Sequence, residues 1–471
     1  MVRRFYAADT NAIAWFDDHG LRPDAALALR VLRSSTQDGM DPARYDVDRL
    51  AAPLAAGDPG LIAHRDLQFT AAVLRYASDM LNGRPDLRSI DHDIDLPQGG
   101  YDPASGLARA LADHKLDSFF GSLAPKTSDY AALKTALAQY RDIDAKGGWM
   151  PFESAKPFRA DDAGAGVLET LRTRLAFEDA SLPTAGPVVA KDVDAAVRRF
   201  QMRNGLEGDG LVGPKTVELL NITAGERVRQ IAANLERMRW LPHVLEPNRV
   251  VVNVPDARLS IIDHDRAVLS SPVIVGKPRT RTPIFRAEVT QVIANPPWNV
   301  PGPIARGEIL PRIARDPGYL ARHNMVMANG RIQQLPGDSN ALGHLKVDLD
   351  DPFVVYLHDT PSRGLFNRTD RFLSHGCVRV QQIFPLASYA LSGDTAAGIE
   401  RLQAAVATHQ TTHLPVNART PVYMVYFTAF PSPSGLQFRS DIYGRDQRLI
   451  AAMSGTRFAQ GPANNGCHGK A

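Results

Sequence analysis

The sequence predicts a multidomain α+β protein. A helical N-terminal scaffold and a small three-helix module precede a mixed, mainly β domain with a capping insertion. Three observations predict this arrangement. The chain has 471 residues, enough for about three domains. Apolar residues recur at helical spacing through the first third of the chain, whereas β-branched runs separated by turns begin at residue 249.

The composition is that of an ordinary globular protein. The hydrophobic share is 44% and the charged share 22%, which excludes general disorder and long coiled coils. Lysine and arginine number 54 against 51 acidic residues, too balanced a charge for a protein that holds nucleic acid by bulk positive charge. No stretch approaches the roughly 18 apolar residues of a membrane span. We therefore expect no nucleic-acid partner and no transmembrane segment.

The cysteines and the N-terminal segment bear on the cellular compartment. Two cysteines, Cys377 and Cys467, are too few for a disulfide framework. The N-terminal segment starts with basic residues but has no apolar core of the kind found in a secretory signal. Either the protein is cytosolic or a targeting segment is absent from this sequence. Residues 447–471 are expected to be a C-terminal tail.

Residues 1–160 are predicted to form the helical scaffold. One of its helices opens at residue 128, with Ser128 as the expected N-cap. Between two helical runs lies a loop with three aspartates, Asp91, Asp93 and Asp95. Because this loop lacks the glycine and the closing glutamate of a calcium loop, a solvated turn is the favoured interpretation.

Residues 162–222 are predicted to form a compact three-helix module, and residues 223–248 a helix that connects it to the next domain. Pro214 stands at the first position of the third helix, which its missing N–H favours. The run from Phe200 to Thr216 has the pattern F-Q-x-x-x-G-L-x-x-D-G-x-x-G-x-x-T. This pattern resembles the peptidoglycan-binding domain family. A helical module that no longer binds glycan is the alternative.

Residues 249–446 are predicted to form the mainly β domain, with one helix near 383–408. The polar stretch 300–347 is too long for a simple connection between strands. It carries five arginines, at positions 306, 312, 315, 322 and 331, against the acidic residues Glu308 and Asp316. We expect this insertion to be a lid or capping subdomain that faces anionic ligands.

One segment of the β domain carries the chemistry. A strand over 353–357 is predicted to deliver His358 at its end, and the polar loop 361–373 leads to Ser374-His375-Gly376-Cys377. A thiol with a pKa of about 8.5 is mostly protonated at neutral pH, so a nucleophilic cysteine needs a neighbouring imidazole or cation. The two strand ends are expected to bring His358 and Cys377 together although 19 positions separate them.

The neighbours of this pair are candidates for binding substrate. Gly376 lets the backbone approach a substrate and turn N–H groups toward a developing oxyanion. Arg379 points to the same side as Cys377 in an extended strand, where it could hold a carboxylate in bidentate fashion or form a surface ion pair. His375 could support the oxyanion, stand behind the catalytic residues or be structural. Tyr356 either lines the site or packs as an ordinary aromatic, and Trp298 is either a groove wall or a core anchor.

The pattern H-x15-[ST]-H-G-C-V-R resembles the signature of the L,D-transpeptidases, whose catalytic domain is of the YkuD type. It is similar in particular to the large periplasmic YcbB-like branch, which keeps an arginine where smaller members have asparagine. The similarity extends over roughly 249–446, through NPPWNVP, LHDTP, LFNRT and TPVYMVYFTAF. The resemblance implies that Cys377 is the nucleophile, that His358 is the general base and that the Asp359 carbonyl orients the imidazole. From the positions of the residues themselves, the candidates for substrate contacts are Arg379, His375, Ser374, Tyr356 and Trp298.

The resemblance also implies an activity. The enzyme would attack a peptidoglycan tetrapeptide stem, release D-Ala and pass the acyl group to an amine of a second stem, forming 3-3 cross-links. No metal or cofactor is expected, and carbapenem-type β-lactams are expected covalent inhibitors. Because stems are cross-linked outside the inner membrane, the expected location is the periplasm or cell envelope.

Several alternatives stay open. The same Cys/His site could anchor a wall protein or act as an L,D-carboxypeptidase. His358, His375 and Cys377 could instead form a three-ligand zinc site in a wall hydrolase. A wall-binding protein with an inactive catalytic domain is opposed by the intact motif. A sortase-like transpeptidase is disfavoured by the short separation between histidine and cysteine.

Overall fold

The computed structural model describes residues 1–7, 13–17, 20–53, 58–97 and 102–455. Cys467 and residues 456–471 of the expected tail lie outside the described residues. The described part of the tail begins inside the last helix, so residues 447–453 are helical and not an extended tail.

The N-terminal region is largely helical, as the periodicity predicts. Its elements are α1 Val2–Tyr6, β1 Phe16–Asp17, β2 Gly20–Leu21, α2 Pro23–Ser34, α3 Val47–Ala51, α4 Pro59–Asn82, α5 Leu87–Ile90, β3 Ile94–Asp95, α6 Pro103–Ala112, α7 Leu116–Ser122 and α8 Ser128–Ala145. The long helix α4 begins where the Asp58 carboxylate accepts two backbone N–H groups, and it ends at Gly83. The N-cap of α8 is Thr127, not Ser128, because the Thr127 side chain accepts from the Tyr130 N–H.

The three-helix module consists of α9 Ala165–Ala176, α10 Ala190–Arg203 and α11 Pro214–Leu220, around its own apolar core. Pro214 occupies the first turn of α11 as predicted. The module begins earlier than residue 162, because Phe158 pairs with Val212 and Phe152 belongs to its core. The connecting helix α12, Ala224–Arg239, opens with a Thr223–Glu226 capping box. Buried residues of α12 pack against α8 and against a C-terminal hairpin of the β domain.

The β domain contains the remaining elements. They are β4 Arg249–Asn253, β5 Arg258–Asp263, β6 Arg266–Gly276, β7 Ile284–Ala294, β8 Trp298–Asn299, α13 Gly302–Ile304, α14 Leu310–Arg315, α15 Tyr319–Arg322, β9 Met325–Ala328, β10 Arg331–Gln334, β11 Leu345–Leu349, β12 Leu357–His358, β13 Phe372–Ser374, β14 Val378–Val380, α16 Ile383–Ser392, α17 Ile399–Ala407, β15 Thr412–Pro415, β16 Pro421–Val425, β17 Ala429–Ser432, β18 Gly435–Phe438 and α18 Arg445–Met453. The predicted single helix near 383–408 is two helices, because Gly393 ends α16 with a φ of 74°.

The main sheet closes on itself. Its strands pair in the order β11-β12-β14-β6-β5-β4-β16-β7, and β7 pairs with β11 again. Alternate residues of these strands, including Leu357, Val378 and Val380, fill the core that the sheet encloses. The intervening residues face outward, so one register shift would exchange the two sets.

The strand predicted over 353–357 is shorter than expected. Only Leu357 and His358 are extended and paired. Upstream, the Asp351 carboxylate accepts the N–H groups of Phe353 and Val355, and Val354 has a φ of 56°. These local hydrogen bonds hold the chain in a turn where the β-branched residues alone would favour a strand.

The scaffold and the β domain share structure. Strand β3 pairs in parallel with β7 through Ile94 and Ile284. The loop before it is not a solvated turn, because Asp91 and Asp93 are buried against three arginines of the β domain, Arg281, Arg445 and Arg448. Burial by itself would raise the pKa of Asp91, but these guanidiniums hold it below its ordinary value. The scaffold therefore supplies a buried ion-pair cluster to the β domain.

Candidate active site

Three strands place a row of polar side chains on the outer face of the closed sheet. Lys346 on β11 pairs with His358 on β12, and His358 pairs with Arg379 on β14. Residues paired in register project to the same face, and the neighbouring Leu357 and Val378 face the core. Lys346 was not singled out by the sequence analysis, because its position opposite His358 depends on the register of β11.

The His358 imidazole is buried and oriented by its own backbone neighbour. Its Nδ1 lies 2.6 Å from the carbonyl oxygen of Asp359, the contact that the family resemblance implies. With Nδ1–H donating to this carbonyl, Nε2 carries the lone pair of a base. Burial, assisted by the charges of Arg379 and Lys346, lowers the pKa of His358 to about 3. The imidazole is therefore neutral at neutral pH.

Cys377 lies one residue before β14 and is buried, with 5% of its surface exposed. The Val378 N–H donates to the Tyr356 carbonyl at 3.1 Å, which aligns the end of the motif loop with the residue before β12. Because side chains alternate along an extended chain, Cys377 shares the outer face with Arg379. Burial lowers the pKa of the Arg379 guanidinium, whereas its interactions with Cys377 and Tyr356 raise it. His358, Cys377 and Arg379 thus occupy one face at adjoining strand ends.

The motif loop Ser374–Cys377 is closed by its own serine. The buried Ser374 hydroxyl donates to the Cys377 carbonyl at 2.6 Å and accepts the Gly376 N–H at 3.1 Å. Gly376 has a φ of 121°, a conformation that favours glycine. The Gly376 N–H is thus turned toward Ser374, so among the N–H groups of this loop it is not one that faces a developing oxyanion. Ser374 holds the loop and does not present its hydroxyl outward.

A buried network supports the inner side of this loop. The Thr282 hydroxyl donates to the Gly376 carbonyl at 2.8 Å and accepts the Gly276 N–H at 2.9 Å. The Tyr443 hydroxyl donates to the Gly276 carbonyl at 2.6 Å. Arg445, which is bonded to Asp91 of the scaffold, also donates to the Thr282 carbonyl at 3.3 Å. A chain of buried polar contacts therefore joins the scaffold to the motif loop.

The insertion contacts the outer side of the same loop. Its strands β8, β9 and β10 form a separate sheet, and six buried apolar residues give it a core of its own. Residues Ala305–Ile309 form one turn of π-helix, and Glu308 on this turn lies 2.7 Å from His375 Nε2. The insertion thus lies against the motif loop Ser374–Cys377. Its acidic residues include Asp338 in addition to the two noted from the sequence.

The Asp359 carboxylate joins the segments on either side of His358. It accepts the His344 N–H at 3.1 Å and a guanidinium N–H of Arg363 at 2.8 Å. Gly343 lies so close that an added Cβ would meet this carboxylate at 2.5 Å. Asp359 therefore has two roles in the geometry, since its carbonyl orients His358 and its side chain packs the flanking loops.

The remaining candidates are divided between the site and the insertion. The centroid of the Tyr356 ring lies 5.5 Å from that of the His358 ring. The Lys346 ammonium lies over the Tyr356 ring, 4.4 Å from its centroid. Arg379 Nε is buried and has no hydrogen-bond partner in the described part of the chain. Trp298 is in β8 and packs on the core of the insertion. This position fits the core-anchor interpretation.

The zinc alternative gains no support from this geometry. Among the described residues, no group of three or more histidine, cysteine, aspartate or glutamate side chains could hold a metal ion. One ring nitrogen of each motif histidine is engaged within the chain, His358 Nδ1 with the Asp359 carbonyl and His375 Nε2 with Glu308. None of the described helices combines the length and the apolar character needed to cross a membrane.

Family comparisons match three separate parts of the chain. Residues 247–406 match the "L,D-transpeptidase catalytic domain", residues 170–220 the "Putative peptidoglycan binding domain", and residues 1–137 the "Scaffold domain". The chain therefore contains the catalytic domain of the L,D-transpeptidase family, together with a peptidoglycan-binding domain and a scaffold domain.

Individual relatives are similar over part of their length. A protein of Haemophilus influenzae named "Putative L,D-transpeptidase" is 34% identical over 245 residues, which are 48% of this chain and 49% of the relative. The chain thus spans about half the length of that relative. A solved L,D-transpeptidase from Stackebrandtia nassauensis is 14% identical, with a TM-score of 0.24 over 57% of this chain and 97% of the other. One from Xylanimonas cellulosilytica is 16% identical, with a TM-score of 0.20 over 59% and 100%.

Proposed function

We propose that this protein is an L,D-transpeptidase that acylates Cys377 with a peptidoglycan tetrapeptide stem and transfers the acyl group to an amine of a second stem. The observation that carries the proposal is the shared outer face of His358, Cys377 and Arg379. This face offers a nucleophile, a neutral base and a cation at one pair of strand ends. Such a set suits acyl transfer through a thioester.

Acylation uses the neutral imidazole first as a base and then as an acid. His358 Nε2 takes the thiol proton as the Cys377 sulfur attacks the carbonyl carbon before D-Ala. The C–N bond then breaks, and the nitrogen of the departing D-Ala receives that proton from Nε2. The products are a thioester on Cys377 and free D-Ala. The Nδ1 contact with the Asp359 carbonyl keeps Nε2 directed to the reaction throughout.

The cations of the row are suited to the charge of the stem. A tetrapeptide stem carries carboxylates, and the half-buried Arg379 guanidinium, whose Nε–H has no partner in the described part of the chain, offers a site for one of them. Lys346 adds a second positive charge on the other side of His358, although Asp348 accepts from it at 2.6 Å. We assign the donor carboxylate to Arg379, with Lys346 contributing to the local field.

Transfer must outcompete hydrolysis, and the insertion is positioned to favour it. Its contact with His375 supports a lid role for the insertion, because a lid at the motif loop would limit access of water to the thioester. The peptidoglycan-binding domain would hold the enzyme on its polymeric substrate. Both proposals locate the protein in the periplasm or cell envelope, which fractionation of cells producing the native protein would test.

Intact-mass measurement tests the proposal most directly. Incubation with a purified tetrapeptide stem is expected to add the mass of the stem less D-Ala, and incubation with a carbapenem is expected to add the intact drug. Neither adduct should form on Cys377→Ala. A Cys377→Ala variant that still forms cross-linked stems would show that the nucleophile lies elsewhere.

The products distinguish this activity from the alternatives that use the same site. Cross-linked dimers from stems alone indicate transpeptidation, whereas a shortened stem without dimers indicates carboxypeptidase activity. Transfer only to a protein amine would indicate anchoring of a wall protein. Activity that is lost on chelation and restored by zinc would favour the metal hydrolase.

A further inference from the structure

The insertion brings one carboxylate to the catalytic motif. Glu308 lies on the π-helical turn Ala305–Ile309, and its Oε1 is hydrogen bonded to His375, two residues before the nucleophile. Short π-helical turns are frequent at functional sites. About 42% of the Glu308 side chain is exposed, and its Oε2 has no hydrogen bond to the described residues. This oxygen is available to a ligand.

The charges around the motif are segregated. On the sheet face the charges of Lys346 and Arg379 influence His358, and both are positive. On the side of the insertion, the carboxylate nearest the motif is Glu308. The exposed Arg312 guanidinium donates to the Tyr319 hydroxyl, and this hydrogen bond, with a smaller contribution from the charge of Glu308, raises the pKa of Arg312. The motif loop therefore lies between a cationic face and a carboxylate.

The two substrates of a transpeptidase differ in charge at their reacting ends. The donor presents carboxylates next to the bond that breaks, whereas the acceptor amine is an ammonium at neutral pH. We propose that Glu308 binds this ammonium and so selects a stem amine over water for the second half-reaction. This inference rests on the proposed function, because it assumes an acyl group on Cys377.

The second half-reaction balances with this assignment. The acceptor arrives as an ammonium held by charge-assisted hydrogen bonds to Glu308, and one of its protons passes to solvent. The neutral amine attacks the thioester carbon, forming the C–N bond as the C–S bond breaks. His358 Nε2 takes the second proton from the new amide nitrogen and returns it to the Cys377 sulfur. No oxidant, metal or further reactant is required.

The test compares two nucleophiles on one variant. Glu308→Gln keeps an oxygen that can accept from His375 but loses the charge, and acylation by the stem confirms that the site is intact. The acceptors are a stem amine, which is an ammonium at neutral pH, and hydroxylamine, which is neutral there. We expect the KM for the stem amine to rise about tenfold and the KM for hydroxylamine to change less than twofold. Asp316→Asn removes the same charge elsewhere in the insertion and should change neither KM.

Each other outcome overturns the inference in a recognisable way. An equal rise in KM for the stem amine and for hydroxylamine would mean that Glu308 only holds the insertion in place. Unchanged KM values for both would mean that Glu308 does not contact the acceptor. If the unaltered protein forms no acyl-enzyme from the stem, the proposed function itself fails and the inference fails with it.

Discussion

The two sides of the motif loop Ser374–Cys377 are held by contacts of different kinds. On the inner side, the fully buried Thr282 hydroxyl bonds the Gly376 carbonyl, and the contacts continue through Arg445 to Asp91 of the scaffold. On the outer side, His375 meets Glu308 of the insertion, with 26% and 42% of the two side chains exposed. The inner contacts are made by the framework of the β domain, and the outer contact by an insertion that has its own sheet and apolar core.

This difference predicts different consequences when the contacts break. A buried carbonyl that loses its donor costs about 1–3 kcal/mol, because water does not replace the bond. A partly exposed hydrogen bond such as that of His375 with Glu308 contributes only about 0.5–1.5 kcal/mol, because water competes for both partners. The inner contacts are therefore suited to fixing the position of Cys377. The outer contact is suited to opening and closing as substrates exchange.

The largest loss of acylation rate is expected when the proposed base is removed, and variants that only misplace Cys377 should lose less. His358→Ala should slow acylation of Cys377 by a carbapenem on the order of 10²–10⁴-fold, since no other group takes the thiol proton. Stopped-flow or mass-resolved acylation rates provide the measurement. His264→Ala, at an exposed turn, is the matched control. An acylation rate in His358→Ala close to that of the control would contradict the assignment of the base.

Breaking the inner side should have the next largest effect. Thr282→Val has nearly the same shape but leaves the Gly376 carbonyl without its donor, so acylation should slow about 10- to 100-fold. The exposed Thr408→Val is the control for the same substitution. If Thr282 only stabilises the fold, Thr282→Val should lower the midpoint of thermal unfolding without slowing acylation at 25 °C. That result would remove Thr282 from the positioning of the nucleophile.

Breaking the outer side should affect acylation less. His375→Ala removes the contact with Glu308 but none of the inner contacts, so the acylation rate should fall by less than tenfold. Hydrolysis of the acyl-enzyme should become faster, because the insertion is no longer held against the motif loop. The ratio of transfer to hydrolysis measures this effect. A loss of acylation as large as that of Thr282→Val would reverse the comparison.

The burial of His358 gives a smaller, thermodynamic prediction. Its folded-state pKa of about 3 lies below the ordinary value of 6.5, so the unfolded chain binds a proton that the folded chain does not. Stability is therefore lost as the pH falls below about 6.5. When the pH is lowered from about 7 to about 5, the free energy of unfolding of the unaltered protein should fall by roughly 2 kcal/mol more than that of His358→Gln. Urea unfolding at both pH values measures this difference, and equal losses would show that His358 is accessible to protons when folded.

Local sequence patterns predicted the elements that depend on neighbouring residues. The helical start, the three-helix module with Pro214 and the β-branched strands from residue 249 all appear in the structure. The errors have local or long-range causes that the patterns did not include. The local hydrogen bonds of the Asp351 carboxylate form a turn where a strand was predicted. Asp91 forms ion pairs with three arginines that lie far from it in the sequence.

The sequence by itself determined the domain order and the motif that joins His358 to Cys377, because periodicity, turn residues and motif spacing are properties of adjacent residues. Only the tertiary structure decided which side chains surround that motif. Glu308 meets a residue 67 positions away, Thr282 one 94 positions away, and Asp91 meets Arg281 across 190 positions. Such contacts, like the pairing of Lys346 with His358, depend on strand register and domain packing. A one-residue shift in the register of β11 would turn Lys346 to the other face of the sheet, away from His358.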